Sequence, residues 1–339
     1  MHRLLLIASS LSSAIATTAR ASQRIPCHTY ASGAGSPQTN ANTILNLLNM
    51  KKIFLVLLLS LALMPAQAVD WERDTEPAIL EVFYTRTQVD DTTKRDTDFY
   101  KEETMLRIGK TMSRYCSVPK FYHDSLMFLN PELYWKTESE SFYKDPKEHD
   151  RTLLERHGRY WSFIYKNYPP GKVTETSYFD MEDWRYEEDW EKPQWEISDS
   201  TKEILGYECL MATADYRGRR WIAWFTPEIP IQEGPWKLCG LPGLILEASD
   251  TGKVYHFKAN GLRQSGIPDV GFLIYREKRG ITTLTRDKFF NNWWKYKHSN
   301  SAAKIKAAFG VQSAEPTPPV SKKRQLNYDK EETDYPHDL

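Results

Sequence analysis

Gly234-Pro-Trp-Lys-Leu-Cys-Gly-Leu-Pro-Gly-Leu-Ile-Leu-Glu247 is the stretch from which the fold can be read outward. Gly234, Gly240 and Gly243 can each take φ > 0, while Pro235 and Pro242 fix φ and withhold an N–H. Such a density of conformational specialists around Cys239 describes a shaped loop, which then releases into the apolar strand Leu244-Ile-Leu246. Hairpin patterns flank it on both sides. Upstream, 207–214 and 219–226 enclose Asp215-Tyr-Arg-Gly218, a turn with glycine at its end. Downstream, 244–248 and 253–259 enclose Ser249-Asp-Thr-Gly252 in the same way.

Strand signals continue toward the N-terminus. Residues 78–89 alternate, with Ile79, Glu81, Phe83 and Thr85 against Leu80, Val82 and Tyr84. Residues 104–108 and 111–116 read as two strands about Gly109-Lys110, and 160–167 and 172–179 as two more about Tyr168-Pro-Pro-Gly171. Residues 194–197 and 271–278 add further strands. Residues 121–135 predict a short helix plus loop, broken at Asn130-Pro131, and 139–159 predict a charged, exposed segment. Thr285 can cap a helix that runs to about Lys297, with Asp287 favourable in its first turn. A second helix is expected at 301–309, and the Pro-rich, charged 315–339 is expected to be a flexible end. Short strands with frequent turns, and helices at the margins, predict a mainly β fold. The expected form is a curved antiparallel sheet or open bowl-like barrel with a few peripheral helices.

A secretory leader sits in an unusual place. Met50-Lys51-Lys52 is a basic start, 53–64 is a short apolar run, and Pro65-Ala-Gln-Ala68 supplies an Ala-x-Ala cleavage site. The run is shorter than the roughly 20 residues of a membrane span. No cysteine follows Ala68 to carry a lipid. The expectation is therefore a periplasmic or secreted protein with no stable membrane anchor after cleavage. Residues 1–49 hold no Asp or Glu and are rich in Ser, Thr, Asn and Gly. They read as a disordered extension from a start codon set too early, with a transit peptide or tandem leader as the other readings. That leaves 69–314 as the β-rich domain. The first 68 residues carry Arg3, Arg20, Arg24, Lys51 and Lys52 and no acid, so the remainder keeps 40 basic against 45 acidic residues. This mildly acidic balance gives no reason to expect a nucleic-acid partner.

Past the leader, the cysteines are Cys116, Cys209 and Cys239. An oxidising compartment permits disulfides. Cys209 and Cys239 are the expected pair, joining hairpin to loop, and closing that loop would contribute roughly 3.5 kcal/mol on a chain-entropy estimate. Cys116 is either a buried thiol or a competitor for one of the two. No two cysteines have zinc-ligand spacing, so no metal and no cofactor is expected. The run Asp180-Met-Glu-Asp-Trp-Arg-Tyr-Glu-Glu-Asp-Trp-Glu191 lacks the spaced Asp pattern of a calcium loop and reads as a solvated acidic segment. The histidines are scattered, and His256, in a strand between Tyr255 and Phe257, reads as structural. No nucleophile elbow, His-Glu-x-x-His helix or P-loop is present. Arg217, Arg219, Trp221 and Trp224 offer a possible ligand surface of cation–π and stacking character. Strand alternation puts Trp221 and Trp224 on opposite faces, so one of them belongs to the core.

Gly240-Leu-Pro-Gly-Leu-Ile245 resembles the name-giving hexapeptide of the GLPGLI family, secreted proteins found largely in Bacteroidota. Gly206-Tyr-Glu-Cys209, Arg217-Gly-Arg219, Ala223-Trp-Phe-Thr226, Ile229-Pro-Ile231 and Leu106-Arg-Ile-Gly109 sit where that family places similar residues. So does the basic Lys322-Lys-Arg324, after which the chain departs from the family's usual ending. A more distant similarity is to the N-terminal bowl-like accessory domain of type II peptide N-glycosidase F. The family has no established biochemical activity, so the resemblance implies location and fold. Three functional classes follow. The preferred one is a non-catalytic binding or interaction module of the cell envelope, holding an envelope protein, a peptide or a glycan-like ligand. The others are a secreted hydrolase, which calls for His256 converging with acids in a cleft, and a structural envelope component, which calls for an exposed apolar patch without a cavity.

Overall fold

A computed structural model of the protein describes residues 71–142, 156–298 and 330–335. The extension 1–49, the leader 50–68, the helix at 301–309 and most of the end 315–339 lie outside these residues. A first run of strands comprises β1 (Glu72–Glu76), β2 (Leu80–Val89), β3 (Phe99–Ile108) and β4 (Ser113–Ser117). Helices α1 (Val118–Leu129) and α2 (Pro131–Phe142) intervene before β5 (Phe163–Lys166), β6 (Lys172–Phe179) and β7 (Glu182–Asp189). The second run is β8 (Glu196–Ile204), β9 (Tyr207–Tyr216), β10 (Arg219–Thr226), β11 (Leu244–Asp250) and β12 (Tyr255–Arg263). Then come β13 (Val270–Leu273), α3 (Tyr275–Arg279), β14 (Ile281–Leu284) and α4 (Arg286–His298). No helix among the described residues is long and apolar enough to cross a membrane.

Twelve strands form one large curved sheet in the order β14-β7-β6-β5-β4-β3-β2-β12-β11-β10-β9-β8, which does not close. All neighbours are antiparallel except β14 with β7. Two meanders, β2 to β7 and β8 to β12, are joined by β2 pairing with β12, from Gln88 opposite Tyr255 to Glu81 opposite Arg263. A separate pair, β1 with β13, lies outside this sheet. The fold is therefore mainly β, with an open curved sheet and a few helices.

Local chemistry explains both the matches and the departures. Between β9 and β10, Arg217 and Gly218 both have positive φ (53° and 78°), so the expected four-residue turn tightens to a two-residue hairpin. Asn130-Pro131 is a helix junction instead of the start of a loop. Asn130 Oδ1 accepts from the Leu133 N–H at 3.2 Å, and Pro131 opens α2 where its missing donor costs nothing. Residues 271–278 split into β13 and the short α3, which ends at Gly280 with φ 92°. The acidic run 180–191 is only partly the solvated segment expected, with Glu182, Glu187, Asp189 and Glu191 exposed. It contains β7, paired on both edges, with Tyr186 fully buried and Asp183 nearly so.

The two faces of the sheet bury separate cores, as the period-2 alternation of strands requires. One face collects Leu80, Val82, Tyr84, Leu106, Tyr115, Ile164, Trp221 and Phe257, and the Gly/Pro loop inserts Trp236, Leu238 and Leu241 among them. The opposite face packs Met105, Cys116, Phe163 and Tyr165 against β13 and Phe121 of α1. A third cluster joins Phe179 and Tyr186 to Phe289, Phe290 and Trp293 of α4 and to Tyr335. Residues 330–335, within the end expected to be flexible, include the buried Lys330, Glu331, Glu332 and Tyr335. Apolar contact with α4 and buried ion pairs hold them there.

Candidate functional site

The Gly/Pro loop is a plug, and its backbone shows why those residue types are needed. Gly240 has φ +91°, in the left-handed region, and donates to the Gln232 carbonyl at 3.1 Å. Gly243 runs so close to the backbone of β10's end that any Cβ would strike the Thr226 carbonyl. Lys166, fully buried on β5, donates to the Gly234 carbonyl at 2.8 Å and pairs with Glu233. The loop in turn delivers Lys237 to the interior. Its ammonium meets Glu188 at 2.6 Å, the Tyr186 hydroxyl at 2.5 Å, Glu175 at 3.8 Å, and Glu332. Burial opposes this charge, but Glu332, Glu188 and Glu175 outweigh it and raise the Lys237 pKa. Lys330 adds a contact to Glu175 at 3.0 Å, and Arg286 joins Glu188 at 3.3 Å and Glu332. With Arg217 on Glu188 at 2.9 Å and near Glu191 and Asp334 at 3.7 and 3.8 Å, every cation of this network has a carboxylate partner, and the network calls for no ligand.

Open space on the plugged face begins where the network ends. A cavity of about 250 Å³ is lined by Arg86 and Gln88 of β2, Tyr255 of β12, Gly158 to Ser162, Ser177 to Phe179 of β6, Trp293, Tyr296 and Lys297 of α4, and Lys330 and Glu331. Strands β6 and β12 have β5, β4, β3 and β2 between them in the sheet, so this face is the hollow one. Four cations line the cavity against one carboxylate. Arg86 is held by Glu331 at 2.6 Å and stacks on Tyr160 and Tyr255 at 4.7 and 5.2 Å. Arg159 is held by Asp90 at 2.7 Å and Lys330 by Glu175. Among the described residues no carboxylate pairs with Lys297, whose ammonium lies 5.8 Å over the Trp293 ring. Its pKa is pulled down to about 8, by burial of the ammonium first and then by Arg159 and Lys330, while the residue as a whole is exposed. The buried hydroxyl of Tyr160 has no hydrogen-bond partner.

A second cavity of about 200 Å³ shares Trp161 and Tyr178 with the first and lies against α1 and α3. It is lined by His123, Asp124, His157, Tyr275 and Arg276, among others. Here His123, Glu138 and His157 place ligand-capable atoms within 4.8 Å of one another. Sequence spacing gave no sign of this set, because 34 positions and an intervening helix separate the histidines. The one legible hint was a His followed by Asp, which can orient its ring.

The residues expected to matter are dispersed. Trp221 is fully buried, tilted on Trp236 at 5.3 Å, and so is unavailable to a ligand. Arg217 and Arg219 fasten the C-terminal segment: Arg219 donates to the Lys330 and Glu331 carbonyls at 2.9 and 3.1 Å. Trp224 is half-buried on the opposite face, under the Lys202 ammonium at 4.3 Å. His256 meets Glu247 at 3.2 Å and lines neither cavity. Cys209 and Cys239 are free and buried, as is Cys116, so the expected disulfide is not formed. The loop is fastened at that point by Trp195, which donates to the Cys239 carbonyl at 2.8 Å. Leu241, Leu244 and Ile245 of the hexapeptide are core residues, and Pro242 stays exposed.

A family model described as a protein of unknown function (Porph_ging) matches residues 217–247, the span that contains the hexapeptide. No curated protein matches the chain. Two solved structures of PNGF-II, in P21 and C2 space groups, are similar at 13% and 12% identity, with TM-scores of 0.41 and 0.42. The similarity covers 64% and 65% of this chain, which spans only 33% of the length of those proteins.

Proposed function

We propose that this chain is an extracytoplasmic, non-catalytic binding module of the GLPGLI type, and that its ligand is a small glycan-like group carrying a negative charge. The reading of export rests on the leader at 50–68 and that of the family on the hexapeptide at 240–245. The observation that carries the ligand class is the first cavity. Its walls are tyrosine and tryptophan rings, suited to the apolar faces of a sugar, and among its lining cations Lys297 has no paired carboxylate among the described residues. At about 250 Å³ the cavity falls just below the ~300–1,000 Å³ range of drug-sized sites, so a single sugar-sized group fits it.

The test is calorimetric titration with a glucuronate-terminated oligosaccharide and its neutral glucose-terminated counterpart. Saturable binding is expected for the first, at least about tenfold weaker for the second, and lost in Lys297→Gln; tenfold corresponds to about 1.4 kcal/mol. Equal affinity for both probes, or none for either, would sink the reading. Release of a cleaved product would move the protein to the hydrolase class.

A further inference from the structure

We propose that His123, Glu138 and His157 form a binding site for one divalent transition-metal ion, zinc being the best match, with an open coordination position toward the cavity that the histidines line. The site is independent of the anion-binding reading.

Three elements converge to make it. His123 lies on α1, Glu138 on α2, and His157 shortly before β5. Asn130 and Pro131 fold the two helices back on each other, which brings Glu138 to the His123 face. The side chain of His123 is 9% exposed, and its Nε2 has no hydrogen-bond partner. A buried ring nitrogen left this way carries a desolvation penalty unless something occupies it. Its other nitrogen, Nδ1, lies 3.0 Å from Asp124 Oδ1. Asp124 is itself buried and held by Lys120 Nζ at 2.7 Å and by the Tyr275 hydroxyl. A carboxylate so fixed holds the proton of His123 on Nδ1 and leaves a lone pair on Nε2, the arrangement by which outer carboxylates orient metal-binding histidines.

The other two groups complete the set. His157 Nε2 and Glu138 Oε1 are 3.1 Å apart, close to the ~3.4 Å edge of a tetrahedron built on metal–ligand bonds of about 2.0–2.2 Å. Arg156 donates to the same Oε1 at 2.7 Å, which orients the carboxylate and leaves that oxygen its second lone pair for an ion. The imidazoles of His123 and His157 have centroids 4.0 Å apart, a spacing that disfavours two protonated rings and suits two neutral ones sharing a cation. Two neutral nitrogens and one carboxylate leave a dication with one positive charge uncompensated, which favours a water or an anionic group at the fourth position. Calcium and magnesium are excluded by ligand type, since both prefer sites made of oxygens.

The experiment uses the full chain, stripped with chelator and titrated first with Co²⁺ and then with Zn²⁺. One equivalent of Co²⁺ is expected to give a visible d–d band of a low-coordinate site, displaced by one equivalent of Zn²⁺. His123→Ala and His157→Ala each weaken Zn²⁺ binding by at least about 100-fold, and Asp124→Asn, acting through His123, weakens it by about 10–100-fold and shifts the cobalt band. His157 is the deciding position, because its side chain is 21% exposed and its removal leaves the buried Asp124 cluster intact. Far-UV circular dichroism verifies that each variant is folded. Absence of the cobalt band in the unaltered protein, a stoichiometry other than one, or unchanged affinity in His157→Ala overturns the site. A variant that does not fold returns the decision to the band and stoichiometry of the unaltered protein.

Discussion

The ammonium of Lys237, carried inward by the Gly/Pro loop, is paired with the carboxylate of Glu332, 95 residues further along the chain, and the two side chains are 0% and 2% exposed. This pair closes the hollow face of the sheet by tying the plug to the C-terminal segment. Desolvation of both charges is offset only because Glu188, Glu175, Arg286 and the Tyr186 hydroxyl complete the network. Removing one partner leaves the other charge buried and uncompensated. Lys237→Met is expected to destabilise the fold by about 3–5 kcal/mol, read as a shift in the urea unfolding midpoint. A loss below about 1 kcal/mol would show that the network does not hold the plug.

The same pair sets an acid dependence. Burial alone would raise the Glu332 pKa, but Lys237 and Arg286 outweigh it and lower it to about 2, against an ordinary value of 4.5. A depressed carboxylate contributes stability that is complete above its unfolded pKa and is lost as pH falls through the folded one. About 3 kcal/mol should therefore disappear progressively between pH ~5 and pH ~2. Unfolding curves of Glu332→Gln across that window should lack this component. An identical pH profile for the variant and the unaltered protein would remove Glu332 from the account.

Two glycines of the hexapeptide fail for different reasons. In Gly240→Ala the added methyl meets only the flexible Lys192 side chain, so the expected cost is that of a left-handed residue, about 1–2 kcal/mol. In Gly243→Ala the methyl meets backbone, the Thr226 carbonyl, which cannot swing away. Thermal melts should rank Gly243→Ala as the more damaging. The reverse order would mean that the loop's course past β10 is wrong.

Lys297 gives the first cavity a pH signature. With its pKa near 8, the ammonium is charged at neutral pH and discharged as pH rises through that value. Arg86, Arg159 and Lys330 face it, and Asp90 is the acid that partly opposes their effect on it. Affinity for the glucuronate-terminated probe should fall as pH rises through ~8 and level off above it. Lys297→Gln should be weak and flat across the same range, as calorimetry at stepped pH will show.

The thiols report on packing. Burial pushes Cys116 up to about 12 and Cys209 and Cys239 up to about 11, so none forms much thiolate at neutral pH. A chain beginning at Val69 should show slow reaction with a chromogenic disulfide while native and three equivalents in denaturant. A single reactive thiol in denaturant would instead establish a disulfide.

Much of the architecture was legible along the chain. The period-2 run of β2, the hairpin of β9 and β10 and the strand leaving Gly243 are written in nearest-neighbour patterns, because pleat alternation and turn stereochemistry are local properties. The loop's glycines and prolines likewise declared a fixed backbone course. What misled was charge. The acidic run at 180–191 read as solvated, yet Asp183 and Glu188 lie inside because Arg276, Lys237 and Arg286 come from elsewhere to meet them. Trp221 and Arg219 read as a surface, yet one fills the core and the other grips a segment more than 100 residues away.

Residue order alone thus determined that the chain forms strands, where they turn, and where its backbone must take special conformations. Only the tertiary structure decided which face is hollow, that the hexapeptide loop fills it, and that His123, Glu138 and His157 meet. The physical reason is range. Dihedral preference and alternation act between adjacent residues, whereas pairing of buried charges and convergence of ligands depend on distances set by sheet curvature and helix docking, which no local pattern encodes.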